Sequence, residues 1–232
     1  MTLLATIHLD DYAIIASDKK EVVKINGLVV PAHEEAEKIV ITDIGLITGS
    51  GYVELLNAVK KRVLSEEINH TDKIMEIIKG ERDKIKQSTF YDDEQLNEIV
   101  NYSGWLFSYF TVTENTQCLR IALYHPTVDE NHFCIIKENS CKVIYPLDVD
   151  PANIAQYSDY LSANIGTLEK IPDINQNLSY NINLLLFLMD EISKISSTVS
   201  KTCDIGIVFK KGEMLLAKNV SIETSNFILE KV

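Results

Sequence analysis

Chemistry could begin at the second residue. Thr2 follows Met1 and opens an apolar run, TLLATIHL, sixteen residues ahead of Asp18-Lys19-Lys20. A threonine with a free α-amine is a complete small catalyst: its hydroxyl attacks a carbonyl while its own amine takes the proton. An unperturbed α-amine titrates at about 7.7–8.0, so part of it is neutral and basic near physiological pH. A neighbouring ammonium keeps it neutral by repulsion, and a carboxylate anchors that ammonium. Such a site also asks for a backbone N–H aimed at the developing oxyanion. Threonine at position 2 is otherwise unremarkable, so the rest of the chain has to decide.

Other constellations are weaker. The segment IGLITGSGYVELL runs strand, Gly-rich turn, helix, but it lacks the Lys-Ser/Thr of a P-loop. Glu54 stands where a dinucleotide fingerprint has glycine, and the simpler reading is a tight turn packed on a helix. The five histidines are scattered, and no Gly-x-Ser-x-Gly elbow occurs. Cys118, Cys134, Cys141 and Cys203 show no Cys-x-x-Cys spacing and read as reduced, mostly buried thiols. Neither a metal nor a cofactor is expected. The 34 acidic against 22 basic residues give a net charge of −12, which disfavours nucleic acid or an anionic membrane as partner. The N-terminal apolar stretch has no basic leader and is broken by His8, Asp10 and Asp11. The run Leu184–Met189 is far below the roughly 20 residues needed to span a bilayer, so a cytoplasmic protein is expected.

These residues need elements to hold them. Thr2–Leu9 and Tyr12–Ser17 read as a hairpin turning at Asp10-Asp11, and Glu21–Val30 as another around Asn26-Gly27. Lys38–Ile41 and Ile44–Thr48 give a third pair of strands, turning at Thr42-Asp43. Helical spacing of Val53, Leu56, Val59 and Val63 predicts a helix over Tyr52–Leu64. Thr71 or Asp72 is expected to cap a second helix with Ile74, Ile77, Ile78 and Ile85 on one face, and Asp92–Phe110 reads as a third that carries Trp105. Strands are then expected at Cys118–Tyr124, His132–Lys137 and Lys142–Tyr145, and a helix from Pro151 to about Ile165. A strongly apolar helix over Ser179–Ser196 and a hairpin of Cys203–Phe209 with Met214–Ala217 close the chain. The order predicts one α+β domain over residues 1–232, with sheets inside and helices outside.

The stretch TLLATIHLDDYAIIASDKK resembles the start of a mature proteasome-type β subunit of the N-terminal-nucleophile (Ntn) hydrolase superfamily. The matching residues are Thr2, Ala16, Asp18, Lys19 and Lys20, followed by Lys38-Ile39 and the Gly45–Gly51 turn. The closing segment SKISSTVSKTCDIGIVFKKG fits the family's last helix, Ser-rich turn and strand pair. The resemblance implies a four-layer αββα sandwich of two antiparallel sheets flanked by helices. It also implies a threonine-type peptidase or amidase that forms an acyl-enzyme on Thr2 once Met1 is removed. In that reading Lys38 tunes the α-amine, Asp18 pairs with Lys38, and the turn of Gly49, Ser50 and Gly51 supplies the oxyanion N–H. The family builds rings from like subunits, so a homo-oligomer acting on a peptide or small amide is expected.

Two places depart from the family. ENSCKVIYPLDVD has no Gly-Ser-Gly, and Ser196 and Val199 stand where the family has Asp and Ser near the end of the last helix. These departures keep an alternative open: a catalytically silent shell or protein-binding subunit of the same fold.

Overall fold

Residues 2–25, 28–33, 35–113, 116–223 and 228–231 are described by the structure, a computed structural model. The opening half runs β1 (Leu4–His8), β2 (Tyr12–Asp18), β3 (Glu21–Ile25), β4 (Leu28–His33), β5 (Val40–Thr42) and β6 (Gly45–Ser50). Helices α1 (Val53–Ser65), α2 (Thr71–Lys86) and α3 (Asp93–Asn101) follow. Then come β7 (Gly104–Thr113), β8 (Thr116–Tyr124), β9 (Cys134–Ile136) and β10 (Ser140–Ile144). The chain ends with α4 (Pro151–Asn164), α5 (Ile174–Ile195), β11 (Thr202–Phe209), β12 (Met214–Ser221) and β13 (Glu230–Lys231). The architecture is α+β, with antiparallel sheets and, among the described residues, five helices.

One sheet is six-stranded in the order β10-β1-β2-β11-β12-β13, and a second is five-stranded, β5-β6-β7-β8-β9. β3 and β4 form a separate two-stranded ribbon; the Asn26-Gly27 turn expected between them lies outside the described residues. β2 sits between β1 and β11, with Leu4 opposite Ser17 and Cys203 opposite Asp18. This register brings β1 and β11, from opposite halves of the chain, together at the end of β2.

β1 and β2 are buried along their whole length, as strands covered on both faces must be. Alternation then decides which core each side chain joins. Ile7, Tyr12 and Ile14 pack with Leu161, Leu185 and Met189 of α4 and α5. Leu4, Ala13 and Ile15 point the other way and meet Leu46, Leu106 and Ile121 of the five-stranded sheet. On that sheet's far side Ile47, Trp105 and Phe107 pack with Val59, Ile74, Ile78 and Ile99 of α1, α2 and α3.

Three sequence expectations change. The segment expected as a helix over Asp92–Phe110 is helical only to Asn101; Trp105 lies on β7. Aromatic and β-branched residues suit a strand paired on both sides, and here with β6 and β8 that pairing prevails over helical spacing. The second helix is capped by His70, whose side chain accepts from the Lys73 N–H, so Thr71 is already inside it. The last helix begins at Ile174, where Asp173 accepts from the Gln176 N–H. No helix among the described residues is long and apolar enough to cross a membrane.

Candidate active site

Thr2 stands just before β1 and is almost fully buried, at 3 % exposure. Across the hairpin, Asp18 closes β2 opposite the Leu3 backbone: the Asp18 N–H donates to the Leu3 carbonyl (3.1 Å) and the Leu3 N–H to Asp18 Oδ1 (2.9 Å). Lys38 arrives from the other sheet, two residues before β5, at 9 % exposure. Its Nζ donates to Thr2 Oγ1 (2.8 Å), Asp18 Oδ1 (3.3 Å) and the Lys20 carbonyl (2.6 Å). An ammonium has three donors and no acceptor, so these three oxygens satisfy it completely.

Asp18 is held as firmly. Its Oδ2 accepts from the Lys20 N–H (2.9 Å) and the Ser200 N–H (3.3 Å), besides the bonds at Oδ1. Burial pulls the Lys38 pKa below the ordinary lysine value, while the charge and hydrogen bond of Asp18 push it back up. The structure therefore brings Thr2, Asp18 and Lys38 into one hydrogen-bonded set.

The Gly49–Gly51 turn lies against the same residues. Gly51 takes φ +144°, and a Cβ there would lie 2.2 Å from Ser103 Oγ, so glycine is required by both conformation and space. The Ser50 hydroxyl donates to the Thr2 carbonyl (2.7 Å), so this side chain fixes the first strand. Gly49 and Gly51 line a cleft together with Thr2 and Lys38. Its wall is apolar, formed by Val40, Ile47, Val53, Leu56, Val59, Val63 and Trp105, and Lys20, Glu21, Glu37 and Lys60 also line it. Thr48 adds a buried hydroxyl with no hydrogen-bond partner among the described residues.

Sequence reasoning missed several supports. The Ser200 N–H and Lys20 carbonyl act through the backbone, which residue types do not advertise. By sequence Ser196 only departs from the family's Asp. In the fold its hydroxyl donates to Asp148 Oδ1 (2.8 Å), and Asp148 also accepts from the Ser197 N–H (3.1 Å) and the Thr198 hydroxyl (3.2 Å). A carboxylate is thus present at this turn, contributed by the segment before α4. The only signal for it was the hydroxyl-rich stretch from Ser196 to Ser200.

The two larger antiparallel sheets and, among the described residues, five helices frame this cleft, and the likeness to solved structures is to a proteasome-like fold. Anbu from Hyphomicrobium sp. strain MC1 is similar with a TM-score of 0.56 at 10% identity, over 99% of this chain and 87% of that chain. A mutant of that protein gives 0.55 at 11%, covering 100% and 87%. Anbu from Yersinia bercovieri, described as the ancestral beta-subunit, gives 0.59 at 13%, covering 98% and 87%. No protein-family model matches the chain, and no curated protein does either. The resemblance drawn from the sequence is corrected accordingly. The likeness that stands is one of fold, to Anbu at 10–13% identity, and membership among proteasome-type β subunits does not stand.

Proposed function

We propose that the chain is an N-terminal threonine hydrolase that cleaves a peptide or small amide through an acyl-enzyme on Thr2. The observation that carries this reading is the Lys38 ammonium, buried and hydrogen-bonded to both Thr2 Oγ1 and Asp18 beside an apolar cleft. With Met1 removed, Thr2 Oγ1 attacks the carbonyl carbon and the α-amine takes the hydroxyl proton. Lys38 steadies the developing negative charge on Oγ1, and Asp18 holds Lys38. The amides of Gly49 and Gly51 are the candidate donors to the oxyanion. The amine then returns its proton to the leaving group, and water hydrolyses the ester. An apolar wall beside the nucleophile suits an apolar side chain next to the scissile bond.

Three further proposals belong with this reading. The three cores described above support a four-layer αββα sandwich. Four free cysteines support a reducing, cytoplasmic setting. The Anbu neighbours support a homo-oligomer. The catalytically silent alternative is favoured by one observation: Ser50 and the Leu3–Asp18 bonds tie the chain at Thr2 down tightly, as a structural anchor would also require.

The test is intact mass followed by turnover of a panel of fluorogenic peptides. Loss of one methionine mass and hydrolysis that vanishes in Thr2→Ala support the enzyme. Met1 retained in cells that trim Met-Thr, with no hydrolysis, supports the silent reading.

A further inference from the structure

A second buried ion pair lies beside the first, and the mechanism above does not use it. Lys19 Nζ lies 3.1 Å from Asp204 Oδ1, and both side chains are nearly inaccessible, at 2% and 3%. Taking two charges out of water costs more than a single pairing usually returns, so such a pair is weak evidence for stability alone. Its placement suggests what it does. Lys19 sits between Asp18 and Lys20, and these two neighbours supply two of the three acceptors of Lys38. Lys19 is tied at every polar group. Its N–H donates to Ser200 Oγ (2.8 Å), its carbonyl accepts from the Ala36 N–H (2.9 Å), and its side chain reaches Asp204. Asp204 is fixed in turn, since the same Oδ1 accepts from the Asn219 N–H (3.0 Å).

We propose that Asp204 is a positioning residue: by pairing with Lys19 it keeps that ammonium away from Asp18 and so leaves the Asp18 carboxylate to Lys38. This rests on the reading of Lys38 as the group that tunes Thr2. The charged groups around Lys38 are Asp18 at the end of β2, Glu21 at the start of β3 and Asp204 on β11. Lys19 and Lys20 follow Asp18 in its turn, and Glu37, next to Lys38 in sequence, and Lys60 of α1 lie on the same cleft. Without the Asp204 charge, Lys19 is left buried and unpaired, and the adjacent carboxylate for it to turn to is Asp18.

The experiment follows the Lys38 side chain by NMR through a pH titration of lysine-labelled protein, with the signal assigned by its loss in Lys38→Met. In Asp204→Asn the Lys38 midpoint should move to lower pH, and acylation of Thr2 by a β-lactone should slow by up to about a hundredfold. Adding Lys19→Met to Asp204→Asn removes the competing ammonium and should restore most of both. Should Asp204→Asn fail to fold, Lys19→Met alone is read: there the unshared Asp204 charge should move the Lys38 midpoint to higher pH. An unchanged Lys38 midpoint in Asp204→Asn, or in Lys19→Met when only that variant folds, overturns the proposal. Failure of wild-type Thr2 to react overturns the functional reading instead, while the Lys38 titration still decides this one.

Discussion

Lys38 carries a charge that its surroundings both oppose and retain. Burial lowers its pKa from the ordinary 10.5, and Asp18 is the largest influence in the other direction. Between the lowered value and 10.5 the unfolded chain holds a proton that the folded chain has given up. Raising pH through that window therefore favours folding as far as this group is concerned. For the chemistry the sign is opposite. If the ammonium is what Thr2 needs, acylation is lost as pH rises through the folded Lys38 value, below where a free lysine would set the limit. Asp18→Asn removes the opposing charge, so the alkaline limb of the acylation profile should move to still lower pH. The same variant leaves Lys38 buried without its counter-ion, which should cost about 3–5 kcal/mol in urea unfolding. A limb that stays in place would show that Asp18 does not hold the Lys38 charge. Thr2, Asp18 and Lys38 were legible because their types and order follow a resemblance. Lys19–Asp204 was not, because a buried pair 185 residues apart leaves no local pattern.

At the scale of elements, the turn from β6 into α1 is where two glycines have different duties. Gly51 needs its positive φ, and any Cβ would collide with the Ser103 backbone and side chain. Gly51→Ala should therefore destabilise the protein by about 1–3 kcal/mol, measured as a fall in Tm. At Gly49 a Cβ would meet Leu56 Cδ2 at 2.7 Å and the Trp105 ring at 3.0 Å, both on the cleft wall. Gly49→Ala should narrow the cleft, raising KM for peptides with bulky apolar side chains more than it lowers Tm. Equal loss of stability in both variants would contradict this division. Hairpins such as β1–β2 and the apolar helix α5 were readable, because local alternation and local periodicity agree with their tertiary packing. The region around Trp105 was misread because helical spacing competed with strand pairing. The cleft wall was not readable either, since its residues come from β5, β6, α1 and β7 and meet only in the folded chain.

In the whole molecule the site exists only because two sheets dock. Thr2 leads into the six-stranded sheet and Asp18 lies in it, while Lys38, Gly49 and Gly51 come with the five-stranded one. The sheets approach closely enough that a Cβ on Gly206 would lie 2.4 Å from Leu46 Cδ1, and that approach helps place Lys38 on Thr2. Such a docked arrangement suits a rigid, preorganised nucleophile better than a flexible binding surface. The central claim is that Thr2 is that nucleophile, and a covalent adduct tests it most directly. Treatment of the native protein with a β-lactone, followed by tandem mass spectrometry, should place one acyl group on Thr2 Oγ1 and none on Thr2→Ala. Absence of an adduct on Thr2 in protein that has lost Met1, or an equal adduct in Thr2→Ala, would contradict the account.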